Sequence, residues 1–150
     1  MKIRRITQDD IPNMLIVLED YCNEMGWPFL PAHIEEKLNL MEAGKVPIYI
    51  AVDDAKNILG VAAMLVVPNI LNPDLLEARE FIWHTSTKLS SYQRAKLMLQ
   101  LLDVMEDRTG NIGVDLHVSV PPTKALTDML ERRGYKMKEF HYAREVSHGN

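Results

Sequence analysis

Glu80 and His84 are the residues of this chain best placed to move a proton. The run Glu77 to Thr85 alternates, so as a strand it puts Ala78, Glu80, Ile82 and His84 on one face and Arg79, Phe81, Trp83 and Thr85 on the other. A carboxylate and an imidazole on one strand face can serve as general base or acid. The plain alternative is a solvated strand face. His117 lies between Asp115 and Ser119, which invites a Ser-His-Asp relay. Geometry argues against it: side chains two apart on a strand project in parallel, about 6–7 Å from one another, too far for a hydrogen-bonded relay. No nucleophile elbow is present either. His117 is left as a polar group facing a substrate or as an exposed-face histidine. The five histidines (His33, His84, His117, His141, His148) fall at neither H-x-x-x-H nor H-E-x-x-H spacing, so the pattern supports no metal site.

The strand carrying Glu80 leads into the turn Thr87-Lys88-Leu89-Ser90-Ser91 and then a long helix. Nucleotide-type cofactors place phosphate at such turns, and glycine is the usual residue there, because backbone N–H groups must approach phosphate oxygens without a Cβ in the way. This chain has no glycine between Gly60 and Gly110. Ser90 and Gln93 also form an S-x-x-Q capping pattern, which would commit the serine hydroxyl to an amide that a phosphate would want.

The elements that must position these residues follow from periodicity. Lys2 to Ile6 reads as a short strand, and Thr7-Gln8-Asp9-Asp10 supplies helix-start chemistry. Ile11, Leu15, Leu18, Cys22 and Met25 recur at helical spacing up to Gly26. After the loop Trp27-Pro28-Phe29-Leu30-Pro31, a shorter helix carries Ile34, Leu38 and Met41, with Gly44 behind it. Ile48 to Val52 and the near-continuous apolar run Ile58 to Val67 read as strands, the second sitting mid-sheet with both faces covered. The long helix has Met98, Leu101, Leu102 and Met105 as its core stripe and is expected to close at Arg108 and Gly110. Ile112 to Val120 alternates cleanly and predicts a strand with Ile112, Val114, Leu116, Val118 and Val120 inward. A helix with Leu126, Met129 and Leu130, stopped by Gly134, and a last strand from Met137 to Val146 complete the chain, whose polar tail of about 147–150 is expected to fray.

At 150 residues, 47% hydrophobic and 25% charged, the chain suits one ordinary domain with a real core. A net charge of −4 favours neither a nucleic-acid surface nor an anionic membrane. The lone Cys22 excludes an internal disulfide and fits a reducing compartment. No start resembles a signal peptide, and the longest apolar run, Val61 to Val67, is too short to span a bilayer. A soluble intracellular domain is expected.

The order strand, helix, helix, strand hairpin, strand, helix, strand, helix, strand resembles the GNAT superfamily of acyl-CoA-dependent N-acetyltransferases over nearly the whole chain. Its most specific local piece is Glu131-Arg132-Arg133-Gly134-Tyr135, similar to the family's EK-x-G-F ending. The resemblance implies an α/β fold of GNAT type, a mixed, mostly antiparallel sheet flanked by helices. A narrower resemblance, resting on overall layout, is to short proteins of tailed bacteriophages with a poor cofactor motif, some of them internal virion proteins.

The family's fourth strand runs into a turn of the form R/Q-x-x-G-x-G/A, whose amides hold the pyrophosphate of coenzyme A. The matching segment here is roughly Thr87 to Gln93, without glycine or a leading arginine. The tyrosine that many members use as the acid corresponds to Leu130, and the asparagine near the start of the same helix to Thr123. The resemblance implies acetyl-CoA along the Trp83–Thr85 backbone with its phosphates near Lys88, Ser90 and Ser91. It implies Glu80 as first choice for the base and His84 as second, in a gap between the fourth and fifth strands. Tyr142 would replace the missing acid or be an ordinary strand aromatic. Trp27 and Phe29 would line an acceptor pocket with His117, or form an aromatic plug on the core. The activity implied is acetyl-CoA-dependent N-acetyltransfer to an amine of a small molecule or protein, in the cytoplasm. The glycine-free turn and Leu130 keep open a catalytically inactive scaffold or interaction protein, such as a phage internal virion or host-interaction component.

Overall fold

A computed structural model describes residues 1–120 and 123–138. The chain divides into two compact units, Met1–Ser119 and Val120–Asn150. The first holds a five-stranded sheet in the order β1-β2-β3-β4-β5: Lys2–Arg5, Ile48–Val52, Ile58–Pro68, Leu76–Thr85 and Asp115–His117. The first four strands pair antiparallel in sequence, and β5 joins β4 in parallel. This is the mixed, mostly antiparallel sheet flanked by helices that the element order predicts.

Helix α1, Ile11–Met25, buries Ile11, Met14, Val17, Leu18 and Cys22. It stops at Gly26, whose φ of 71° is the left-handed conformation that a residue without Cβ takes cheaply. Its entry is held by Arg4, which donates from Nη1 and Nη2 to the two oxygens of Asp10 at 2.6 and 2.7 Å. Helix α2, Pro31–Ala43, begins on a proline, tolerated where the first amides have no intrahelical partner. Both helices pack on one sheet face, formed by Ile48, Ile50, Val61 and Ala63 among others.

Helix α3, Ser91–Ile112, covers the opposite face. Gly60 of β3 permits its close approach: a Cβ there would stand 3.1 Å from the methyl groups of Leu97 and Leu101 and 3.2 Å from the His84 carbonyl. The expected stop at Gly110 is not where α3 ends. Gly110 stays helical, at the modest cost glycine carries in a helix, while Gly113 takes φ 70° and caps the end. The helix thereby absorbs Ile112, which is exposed rather than inward, and β5 shrinks from the predicted Ile112 to Val120 to three residues.

β3 lies between β2 and β4 as expected, buried from Val61 to Met64, although its far end from Leu65 onward opens to solvent. The strict alternation expected along β4 is also broken. Ala63 pairs with Ile82 but Met64 pairs with Glu80, so Phe81 is an extra residue, a β-bulge. Phe81 and Ile82 consequently share the side that faces α1 and α2 instead of pointing apart.

In the second unit, α4 spans Lys124–Arg132 behind an extended Thr123, and Gly134 follows with φ 89°. Met137 and Lys138 carry no strand pairing; the rest of the predicted last strand, with Tyr142, His141 and His148, and the tail lie outside the described residues.

Candidate functional site: a self-satisfied turn beside an apolar cavity

The turn after β4 is built by residues distant in sequence. Asp20 and Glu24 are one helical turn apart on α1, so they share a face. Asp20 Oδ2 accepts the Thr87 amide at 2.8 Å, and its Oδ1 accepts the Thr87 hydroxyl. Asp20 also lies 3.3 Å from His84 Nε2, and Glu24 lies 3.2 Å from His84 Nδ1. Arg94, in the first turn of α3, donates to both oxygens of Glu24 at 2.8 and 2.9 Å and to the Thr85 hydroxyl at 3.3 Å. The result is a network of two acids, a histidine and an arginine that ties α1 to the start of α3.

The amides of Lys88, Leu89 and Ser90 are occupied from within. Lys88 N donates to the Ser86 hydroxyl at 3.3 Å, and Leu89 N to the Ser86 carbonyl at 3.2 Å. Ser90 N donates to Gln93 Oε1 at 3.0 Å while Gln93 N donates to Ser90 Oγ at 3.3 Å, the reciprocal box that the S-x-x-Q spacing predicts. Among the described residues, the amides of Ser91 and Tyr92 are the ones in this stretch without such an acceptor.

Electrostatics follow these contacts. Burial alone would raise the Asp20 pKa, but hydrogen bonds from the Thr87 hydroxyl and amide, with His84, outweigh it and leave it below its ordinary value. His84 is 3% exposed, and burial pushes its pKa down against the opposing pull of Asp20 and Glu24.

Glu80 stands apart from this network. β4 and β5 pair only from Glu77–Arg79 to Asp115–His117, and Glu80 is the next residue along β4. Its carboxylate spans to the Ser119 amide at 3.2 Å. Burial raises its pKa from the ordinary glutamate value, an effect the Ser119 bond partly offsets. Glu80 and His84 thus have separate partners. Trp83 points its indole N–H at the Met98 carbonyl of α3, 3.0 Å away. His117 lies 4.0 Å from Glu77, a buried carboxylate that Asn69 and Arg79 hold below its ordinary pKa.

Between α1, α2 and the sheet lies a cavity of about 290 Å³. Trp27 lines it, edge-on to Tyr21 with ring centres 5.7 Å apart. Phe29 packs instead against the core cluster. Asp20, Tyr21, Glu24, Ser86 and Arg94 are neighbours of the turn and cavity that the sequence did not point to. The i, i+4 spacing of Asp20 and Glu24 reads in sequence as a solvated helix face, and only the approach of the β4–α3 turn makes it more. No group of three or more metal-ligating side chains occurs among the described residues, and no helix there is long and apolar enough to cross a membrane.

No family model matches the chain, and no curated protein matches it in sequence. Solved structures do match in fold. A probable acetyltransferase superposes with TM-score 0.74 at 18% identity, covering 99% of this chain and 100% of its own. A predicted acetyltransferase from Clostridium acetobutylicum, solved with acetyl-CoA, gives 0.71 at 14% identity over 96% and 95%. A transcriptional regulator from Bacillus halodurans gives 0.75 at 15% identity over 97% and 99%. The fold is therefore the one that GNAT acetyltransferases share.

Among the described residues, coenzyme A would find only the Ser91 and Tyr92 amides of this stretch without an acceptor. Its pyrophosphate would meet amides already bonded at Thr87, Lys88, Leu89, Ser90 and Gln93, with the carboxylates of Asp20 and Glu24 beside them. The exposed Lys88 is a cation nearby, but one surface charge does not replace a set of convergent amides.

Proposed function

We propose that this chain is a cofactor-independent binding or scaffold protein, one domain over residues 1–150, built on the acetyltransferase fold. The observation that carries this reading is the Asp20 carboxylate on the Thr87 amide and hydroxyl. An anion belonging to the protein takes two donors of the turn where a phosphate would sit. A calorimetric titration with acetyl-CoA tests it. No heat of binding is expected up to about 1 mM cofactor; saturable binding below that concentration would overturn the reading.

One observation favours N-acetyltransfer to an amine as the second reading. Glu80 is a partly desolvated carboxylate of raised pKa where β4 and β5 part, the type of group that serves as a general base. In that reading Asp20 would have to leave the turn for Lys88, Ser90 and Ser91 to hold phosphate, with Trp83 and Thr85 toward the cofactor; the cofactor and acid roles expected of Thr123 and Tyr142 fall in the second unit. Acetylation of a panel of amines that Glu80→Gln abolishes and His84→Gln spares would select it. A cytoplasmic or virion setting and a phage origin belong to these proposals too.

A further inference from the structure

We propose that the cavity under α1 and α2 binds a small apolar carboxylate, with its hydrocarbon body among core side chains and its charge at Lys37 and His33. This deepens the cofactor-independent reading and rests on it. The space is an apolar pocket of about 290 Å³ that opens to solvent past Trp27, His33 and Lys37. An apolar cavity of ~150 Å³ already takes up benzene, and ligand sites begin at roughly 300 Å³.

The two ends of the cavity differ in chemistry. Its inner wall includes Met14, Leu38, Ile48 and Ala63, all buried and apolar, so a polar group placed there would lose its water without compensation. Its mouth is marked by the lining residues that stay exposed, Trp27, His33 and Lys37. No carboxylate lines the cavity; the side chains there able to carry positive charge are His33 and Lys37. Among the described residues Lys37 has no acidic partner. At the mouth, a ligand with an anionic head therefore gains an ion pair that a neutral one lacks, whereas the carboxylates of Glu80 and Glu24 act from the side of Tyr21.

Cys22, the single cysteine, also lines the cavity and reports its occupancy. The experiment follows the rate at which a thiol reagent modifies Cys22 in the whole protein, with octanoate, octanol or octylamine present. Octanoate is expected to slow the reaction saturably, octanol more weakly and octylamine least. Lys37→Ala should weaken protection by octanoate about fivefold and leave octanol unchanged. Ile34→Trp, which fills the cavity from a half-buried lining position, should abolish protection with an unchanged circular dichroism spectrum. If that variant fails to fold, the order of the three ligands on the parent protein decides. Absence of saturable protection by octanoate, or equal protection by octylamine, overturns the proposal. Acetyl-CoA binding with octanoate protection intact would overturn only the cofactor-independent reading; loss of protection without acetyl-CoA binding would overturn only the ligand class.

Discussion

Asp20 shows how one side chain decides between a phosphate turn and a structural joint. Its two bonds from Thr87 link α1 to the β4–α3 connection, so Asp20→Ala should destabilise the protein by about 1–2 kcal/mol in urea unfolding. Its pKa is depressed in the folded state. The stabilisation is therefore complete above the ordinary aspartate range near pH 4 and fades as pH falls through the depressed value. The acid limb of a stability–pH curve should accordingly flatten in the variant. Asp10 carries the same sign more strongly. Arg4 first, then Thr7, hold its pKa at about 2. Asp10→Asn should remove roughly 2 kcal/mol of stability at pH 7, and this difference should shrink between about pH 5 and pH 2. At this scale the sequence was half legible. Glu80 was a candidate in the sequence because strand alternation exposes ionisable groups to view, whereas Asp20, Glu24 and Arg94 became visible only through contacts such as Asp20 to Thr87, 67 residues apart.

Elements were more legible than their ends. The helix α1 and its Gly26 stop follow from spacing and from backbone freedom, both local properties, although Met25 of the expected stripe is exposed while Met14 and Val17 are buried. The end of α3 did not follow, because two glycines three residues apart compete for the cap and local chemistry does not rank them. Gly110 is helical with open space around its missing Cβ, so Gly110→Ala should stabilise by about 0.5 kcal/mol. Gly60 presents the opposite case. Valine there would press on Leu97, Leu101 and the His84 carbonyl, and should cost roughly 1–3 kcal/mol by thermal unfolding. The bulge at Phe81 was likewise invisible in the alternation of Glu77 to Thr85, since an inserted residue shows only against its partner strand.

For the whole molecule, ligand linkage provides the test. A ligand that binds the native state at a hundred times its dissociation constant stabilises it by about 2.7 kcal/mol. Millimolar acetyl-CoA should leave the melting temperature unchanged; a rise of several degrees would return the protein to the transferases whose fold it shares. The order and type of the elements from β1 to α4, much of the core stripes and the missing turn glycines were set by the amino-acid sequence alone, because periodicity, capping and backbone sterics act over a few residues. Which amides of the turn are taken, which carboxylate is desolvated and whether a cavity opens beneath α1 and α2 were settled only in the tertiary structure. Those properties depend on groups brought together from distant parts of the chain, where distance and burial rather than residue type set the energy.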